Sequence, residues 1–586
     1  MKKKEVTTLA GLALCAGLTA TPALANDDPM AVGSNGYQVS KPVHTVGESF
    51  FGTTGALNPL TAGTYTPVGV MDGIGAFELD KKTVRVFVNH ELGQDRGYAY
   101  EVLAAGGGTV SLTGARVSYF DIDKKSRTIV DAGLAYGRIH DANGQLVSDT
   151  SFLSNGFTGL SRLCSAGLFE AGTYNLADTI FFTGEEDGGN FNPIGGALWA
   201  LDADHGALWQ VPELGHGAWE NVTALDAKKF KKDAFQQFPI LNAIWNLFAA
   251  KKYVAIALSD DTSPFDADTP SNGEAEAAPM FLYVGAKHHF GDFVDRNGLG
   301  DGDLYVWVSK TGELSPLDFN GSGSLKGRWV EIDNDRKAAL ASNDGSTGYD
   351  QYGFPTQKNL WLQAEAVGAF QFSRPEDVAT NPKNGTQFAL ASTGVDTFAV
   401  DPISGNGVDT FGTIYLFDTN FKTMNCELTI VYDGDADPAR ALRSPDNLDW
   451  ADDGYLYVQE DKAETDTLTG EFLFGPTAVN TNEAGIVRVD VGSGATLRVA
   501  NIDRSVVLDG SIANPENAVD TLSSVGDWET SGILDVSKLF GEKKGTLFLF
   551  DVQAHGIQDQ DQFDATSRIS DFDLVEGGQL LFLEKK

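Results

Sequence analysis

Cysteine is nearly absent, with three in 586 residues. Cys15 falls in the leader described below. Cys164 and Cys426 can close one disulfide in an oxidising compartment, but two cysteines cannot build a disulfide scaffold. Basic charge is also short. Lys and Arg number 43 against 81 Asp and Glu, a formal net charge of −38. No general basic field exists for a nucleic-acid backbone. The surplus suits cations and solubility in salty water. Only eight histidines occur, and none has a zinc-site spacing. No Gly-x-Ser-x-Gly elbow, Walker loop or zincin helix is present, and neither a WD nor a kelch repeat is visible. Past the leader, no apolar run approaches the length of a membrane span.

What is present begins with an export signal. Lys2, Lys3 and Lys4 precede an apolar stretch at 9–18, and Ala23-Leu24-Ala25 is a cleavage site, so residues 1–25 read as a signal peptide. A periplasmic or secreted protein is expected, with residues 26–586 forming one domain.

Short apolar stretches bounded by Gly, Asp and Asn recur along the chain. They include 84–88, 117–120, 180–183, 197–201, 253–258, 280–284, 304–308, 387–391, 413–417, 455–458, 485–489 and 546–550. These predict strands. One helical period covers about 227–252 and predicts an inserted helical segment. Many short strands predict an all-β fold, and their number favours a six-bladed β-propeller over a single sandwich. Residues 26–50, 263–278 and 334–358 read as surface decoration.

Several of these strands end in acids. Asn89-His90-Glu91, Glu185-Glu186-Asp187, Asp260-Asp261, Glu460-Asp461 and Asp551 each follow an apolar run. Converging strand ends of this kind would supply hard oxygen ligands for Ca²⁺. Other segments add softer or more mixed chemistry. Cys164 is a possible iron ligand, a buried apolar residue or half of a disulfide. Glu220 lies in a Gly- and aromatic-rich stretch. Arg374 precedes Glu376 by two residues and offers a fork for phosphate, or a structural ion pair. Asp446 and Asn447 are turn formers and also calcium ligands. The Asp- and Gly-rich stretch 295–303 lacks EF-hand spacing and reads as a hairpin turn.

Taken in order, these segments resemble the PhoX-type alkaline phosphatases of bacteria. The resemblance runs through Val-Asn-His-Glu (88–91), Cys164, Thr-Gly-Glu-Glu (183–186) and the stretch 216–220. It continues through Asp260-Asp261, Arg-Pro-Glu-Asp (374–377), Ser-Pro-Asp-Asn-Leu (444–448), Trp-Glu-Thr-Ser-Gly (528–532) and the segment 546–556. It implies a six-bladed propeller holding an Fe³⁺ and Ca²⁺ cluster. By that resemblance Cys164 ligates iron, with Glu185 or Glu186 nearby. Glu220, Glu376, Asp446, Asn447 and Glu529 complete the shells. Arg374 holds the substrate phosphate. Asn89, Glu91, Asp260 and His555 are further contributors. The family is typically exported through a twin-arginine signal, whereas this chain has a lysine triplet and no Arg pair.

The expected activity is hydrolysis of small phosphate monoesters. A related propeller phytase or phosphodiesterase, and a non-catalytic calcium-stabilised propeller, are the alternatives.

Overall fold

Every apolar stretch read as a strand becomes the second, third or fourth strand of a propeller blade. The structure, a computed structural model, describes residues 28–586 except 154–155, 189–190, 232–252, 263–276, 289, 339–346, 463–469, 471, 476, 507–524 and 558–572. The expected signal peptide, nearly all of the helical segment 227–252 and nearly all of the stretch 263–278 lie outside the described residues.

Blade 1 runs outward through Met71–Glu78, Thr83–His90, Arg116–Asp123 and Ile129–Leu134. Blade 2 is Leu163–Phe169, Ile180–Glu185, Leu198–Asp202 and Ala207–Gln210, with Arg138–His140 added in parallel at its rim. Blade 3 is Trp219–Leu225, Tyr253–Asp260, Phe281–Ala286 and Gly302–Ser309. Blade 4 is Pro375–Thr380, Gln387–Ser392, Thr413–Asn420 and Asn425–Asp433. The strand Gly323–Ile332 pairs with the outer strands of blades 3 and 4 and fuses them into one nine-stranded sheet.

Blade 5 is Pro445–Trp450, Leu456–Glu460, Gly485–Val489 and Thr496–Ile502. Blade 6 is Glu529–Asp535, Leu547–Ala554 and Gly577–Lys585, with Tyr37–Val39 as its outermost strand. Ala31–Gly33 edges blade 5. Within 26–50, then, the strands Ala31–Gly33, Tyr37–Val39 and His44–Thr45 are not decoration but pair with the last two blades and close the ring. The six innermost strands touch in cyclic order, from blade 1 through blade 6 and back. The propeller has six blades.

Adjacent blades bury their facing apolar side chains against one another. Phe182, Val222, Ile256 and Phe281 fill the space between blades 2 and 3. Tyr457, Ile486, Phe548 and Phe550 do so between blades 5 and 6. Burial of each such side chain stabilises the fold by about 1.5–3 kcal/mol. The stretch 334–358 also does more than decorate. Asp350 and Gln357 are buried, and the helix Gln357–Ala366 packs Leu360 and Ala364 into the core. The stretch 295–303 joins the short helix Phe293–Arg296 to the strand that begins at Gly302. Among the described residues no helix is long and apolar enough to cross a membrane.

Candidate metal centre

Five of the six inner strands share one irregularity, a β-bulge at the same height against the end of the second strand; the inner strand of blade 6 bulges further along, between Ser531 and Ile533. The residues there are Met71-Asp72-Gly73-Ile74, Leu163-Cys164-Ser165-Ala166, Trp219-Glu220-Asn221-Val222, Pro375-Glu376-Asp377-Val378 and Pro445-Asp446-Asn447-Leu448, and in blade 6 Trp528-Glu529-Thr530-Ser531 stands at that height, with Glu529 opposite Gln553. A bulge inserts one residue and re-aims the side chains beside it. At the second place of each quartet stand Asp72, Cys164, Glu220, Glu376, Asp446 and Glu529. Glycine is required at 73, where a Cβ would come within 2.4 Å of the backbone nitrogen of Ala166 on the next blade.

A second set comes from the ends of the second strands. The backbone N–H of Glu91, Glu186, Asp261, Thr393 and Asp461 donates to the carbonyl of Val70, Arg162, Ala218, Arg374 and Ser444 respectively. These bonds place the first group of residues at one height in blades 1 to 5. The acceptor residues lie two before each bulge acid. Four of them, Val70, Arg162, Arg374 and Ser444, are non-glycines with φ between 42° and 50°. Such left-handed conformations cost about 1–3 kcal/mol each and concentrate at functional sites.

Together the two sets make a continuous run of ligand atoms. Four triads each have ligand atoms within 4.8 Å of one another: Asp72, Glu91 and Cys164; Cys164, Glu186 and Glu220; Glu220, Glu376 and Asp446; Asp446, Asp461 and Glu529. Cys164, Glu220 and Asp446 are each shared by two triads. One thiol among carboxylates combines a soft, transition-metal ligand with the hard oxygens preferred by calcium.

Burial pushes the carboxyl groups of Asp72, Glu186, Glu220, Glu376, Asp446 and Asp461 well above their usual range, and neighbouring carboxylates push them further. Burial, then Asp72, does the same to the Cys164 thiol. Glu529 is the exception. Burial raises it, but the His555 imidazolium beside it holds its carboxyl below the usual range. Burial alone would lower His555, yet Glu576 at 2.8 Å and Glu529 at 3.6 Å raise it. Buried carboxylates this close must carry protons or hold cations.

Orphaned oxygens fit the second possibility. Glu220 Oε2, Asp446 Oδ1 and both carboxylate oxygens of Asp551 are buried with no hydrogen-bond partner. Other polar atoms are already committed to holding the ring. Asn447 Nδ2 and Gln553 Nε2 donate to Asp72 at 3.1 and 2.8 Å. The Ser165 N–H donates to Glu220 Oε1 at 3.2 Å.

Two guanidinium groups sit over this ring. Arg374 contacts Asp261 at 3.1 Å, Glu376 at 2.7 Å and Asp461 at 3.2 Å. Arg162 contacts Glu186 at 2.8 Å and Glu91 at 3.5 Å. Both are partly exposed, at 26% and 30%.

The expected site residues fall into two groups. Cys164, Glu186, Glu220, Glu376, Asp446 and Glu529 converge, and Glu91 joins them. Asp446 and Asn447, expected as turn formers, stand on an inner strand, as do Glu220 and Glu376. Glu185 points away and accepts from the backbone N–H groups of Ser161 and Ala197 at 3.0 Å. Burial pushes its carboxyl up to about 7. Asp260 likewise accepts from the Ala218 N–H and from Gln357 Nε2. In both pairs the next residue, Glu186 or Asp261, faces the centre. Asn89 donates to the carbonyl oxygens of Cys164 and Ser165 and so fixes the thiol's strand. Cys164 and Cys426 are both free thiols. Cys426 lies on the outer strand of blade 4, against Thr419 and Trp307.

Asp72 and Arg162 are not among the residues expected from the sequence, whereas Asp261 and Asp461 are two of the strand-end acids. The signal that finds Asp72 is the degenerate quartet of a bulky residue, an acid or cysteine, a small or polar residue, and an apolar one.

Residues 288–517 match the family described as alkaline phosphatase PhoX. Among solved structures, Pseudomonas fluorescens PhoX in complex with vanadate, a transition-state analogue, aligns over 97% of this chain and 98% of that chain, with 15% identity and a TM-score of 0.54. The extracellular domain of a hybrid two-component system from B. thetaiotaomicron aligns over 97% of this chain and 81% of its own, at 9% identity and a TM-score of 0.14, which carries no argument. No curated protein matches the chain by sequence. This chain thus resembles the PhoX-type alkaline phosphatases on two independent grounds, the family match across residues 288–517 and a shared propeller fold over nearly its whole length.

Proposed function

We infer that the protein is an exported, metal-dependent phosphatase that hydrolyses small phosphate monoesters at the mouth of its propeller. The observation that carries this reading is the run of four ligand triads linked by Cys164, Glu220 and Asp446, with Arg374 poised over it. Cys164, with Glu186 and Glu220, would hold iron. Asp72, Glu91, Glu376, Asp446, Asp461 and Glu529 would complete the iron shell and hold calcium. Bound there, the cations would neutralise phosphate oxygens and activate water as the nucleophile.

The protein's own residues do the rest. Arg374 is fixed by three carboxylates from blades 3, 4 and 5, so its fork is preorganised toward the channel. It would take two phosphate oxygens and stabilise the charge that grows as the bond to phosphorus breaks. His555, charged between Glu576 and Glu529, orients the Glu529 carboxylate toward Asp446 and Asp461. The buried walls exclude bulk water, which strengthens each of these interactions. A calcium site that only stabilised the fold would need neither Arg162 nor Arg374, and this favours the enzyme over a binding module. The leader at 1–25 supports a periplasmic or secreted location.

The test is hydrolysis of a chromogenic phosphate monoester by protein supplied with iron and calcium, beside Arg374→Ala and Cys164→Ala. The expected result is turnover by the wild type and a large loss in both variants. Equal rates in all three would discard the site, and no turnover under any metal condition would favour the binding module.

A further inference from the structure

Phe191 projects from the turn that follows the second strand of blade 2, on the same face as Glu186. It is 58% exposed. A single exposed phenylalanine is ordinary on a protein surface. This one lies over the Arg162 guanidinium, with the ring centroid 4.9 Å from its central carbon. The turn that displays it is held. The N–H groups of Phe191 and Asn192 each donate to the Gly188 carbonyl at 2.9 Å. Asn192 is buried, and the Ile194 carbonyl accepts from the Gln357 N–H at 3.0 Å. The ring is thus presented to solvent on a fixed support beside one of the two arginines over the ligand run. Arg162 in turn touches Glu91 and Glu186, which belong to the two triads that share Cys164.

We propose that Phe191 is a specificity-determining platform for the leaving group of the substrate, so that the site favours phosphate esters whose leaving group carries a planar aromatic ring, of which nucleoside monophosphates are the representative class. The proposal rests on the phosphatase reading of the same site. A phosphoryl group held by Arg162 would carry its ester substituent past Phe191, whose ring lies against that guanidinium. There a nucleobase meets an aromatic face already polarised by a cation. Stacking of a base on an aromatic side chain is sequence-tolerant and is lost on truncation. An ester whose alcohol carries no ring, such as glycerol 2-phosphate, has no planar face to offer and gains nothing from Phe191.

The experiment compares wild type, Phe191→Ala, Phe191→Leu and Phe191→Trp, all loaded with iron and calcium. Two esters, adenosine 5′-monophosphate and glycerol 2-phosphate, are measured for kcat and KM. Their non-hydrolysable phosphonate analogues are measured by calorimetry. The Ala and Leu variants are expected to raise KM and the analogue's Kd for the adenosine compound by roughly fivefold or more. Values for the glycerol compound should stay within about twofold, and Trp should restore the adenosine values. Equal effects on both compounds, or none on either, would overturn the proposal. If the wild type turns over neither ester, the phosphatase reading falls. The calorimetry then still decides, since a selective loss of adenosine-analogue binding supports the platform and unselective binding overturns it.

Discussion

Arg162 and Arg374 occupy equivalent places on blades 2 and 4. Each lies two residues before a ligand-bearing bulge, Cys164 or Glu376, and each has a left-handed backbone, with φ of 45° and 49°. Each carbonyl accepts from the residue that follows the second strand of its own blade. The fold therefore points two guanidinium groups over one ring of acids from either side of blade 3.

Both arginines should contribute to catalysis. Arg374→Ala and Arg162→Ala are each expected to lower kcat/KM by about 10²–10³-fold, the scale seen when one preorganised donor to developing charge is removed. Lysine at either place should recover only part, because it lacks the planar fork. Steady-state kinetics on a simple phosphate monoester reads this directly.

Cys164 should set the iron content without setting the calcium content. Metal analysis of Cys164→Ser protein should show iron reduced at least about tenfold with calcium retained, since losing a direct ligand costs no less than the 10–100-fold attributed to outer partners. Equal iron in variant and wild type would remove the thiolate from the centre.

Removing the cations should destabilise the propeller. Chelation leaves close, buried carboxylates that must take up protons, and Tm is expected to fall and to recover on adding calcium. A cation at 100 times its Kd stabilises by about 2.7 kcal/mol. Glu220→Gln should reverse part of this pattern. With one buried acid neutralised, its metal-free form is expected to melt above metal-free wild type, and its response to calcium should be smaller. Differential scanning fluorimetry with and without chelator distinguishes these outcomes.

A pH-dependent contribution to stability should come from His216 and Asp350, which meet at 2.9 Å in a buried pair. Burial lowers His216, but Asp350 outweighs it and raises the imidazole above its ordinary value. Burial likewise raises Asp350, and His216 outweighs it and holds the carboxyl below its ordinary value. The His216 contribution is fully present below the imidazole's unfolded pKa of about 6.5 and is lost as pH rises through the raised folded value. The Asp350 contribution is present above the unfolded carboxyl pKa of about 3.9 and is lost as pH falls through the depressed folded value. The Tm difference between wild type and His216→Gln is therefore expected to be largest between about pH 4 and 6.5 and to shrink on both sides.

The sequence by itself determined the outer architecture. Runs such as 84–88, 253–258 and 546–550 alternate or cluster apolar residues between Gly and Asp turns, and that pattern is local, so it specifies strands before any packing is known. The acids at their ends were visible for the same reason. The innermost strands were not legible as strands. Pro445–Trp450 and Pro375–Thr380 begin with proline and carry acids, and a bulge breaks their period of two. Read locally they are turns, and only pairing with the neighbouring strand makes them strands.

Tertiary structure alone decided which of two adjacent acids faces the centre. A strand turns successive side chains to opposite faces, so Glu185 and Glu186, or Asp260 and Asp261, differ by one position and by their whole surroundings. That choice depends on the register with the inner strand and on the bulge opposite. Both are set by contacts between residues far apart in the chain, and no local pattern records them. Asp72 and Arg162 enter the centre for the same reason, through cyclic packing of six blades that brings residues 72 and 529 to one ring.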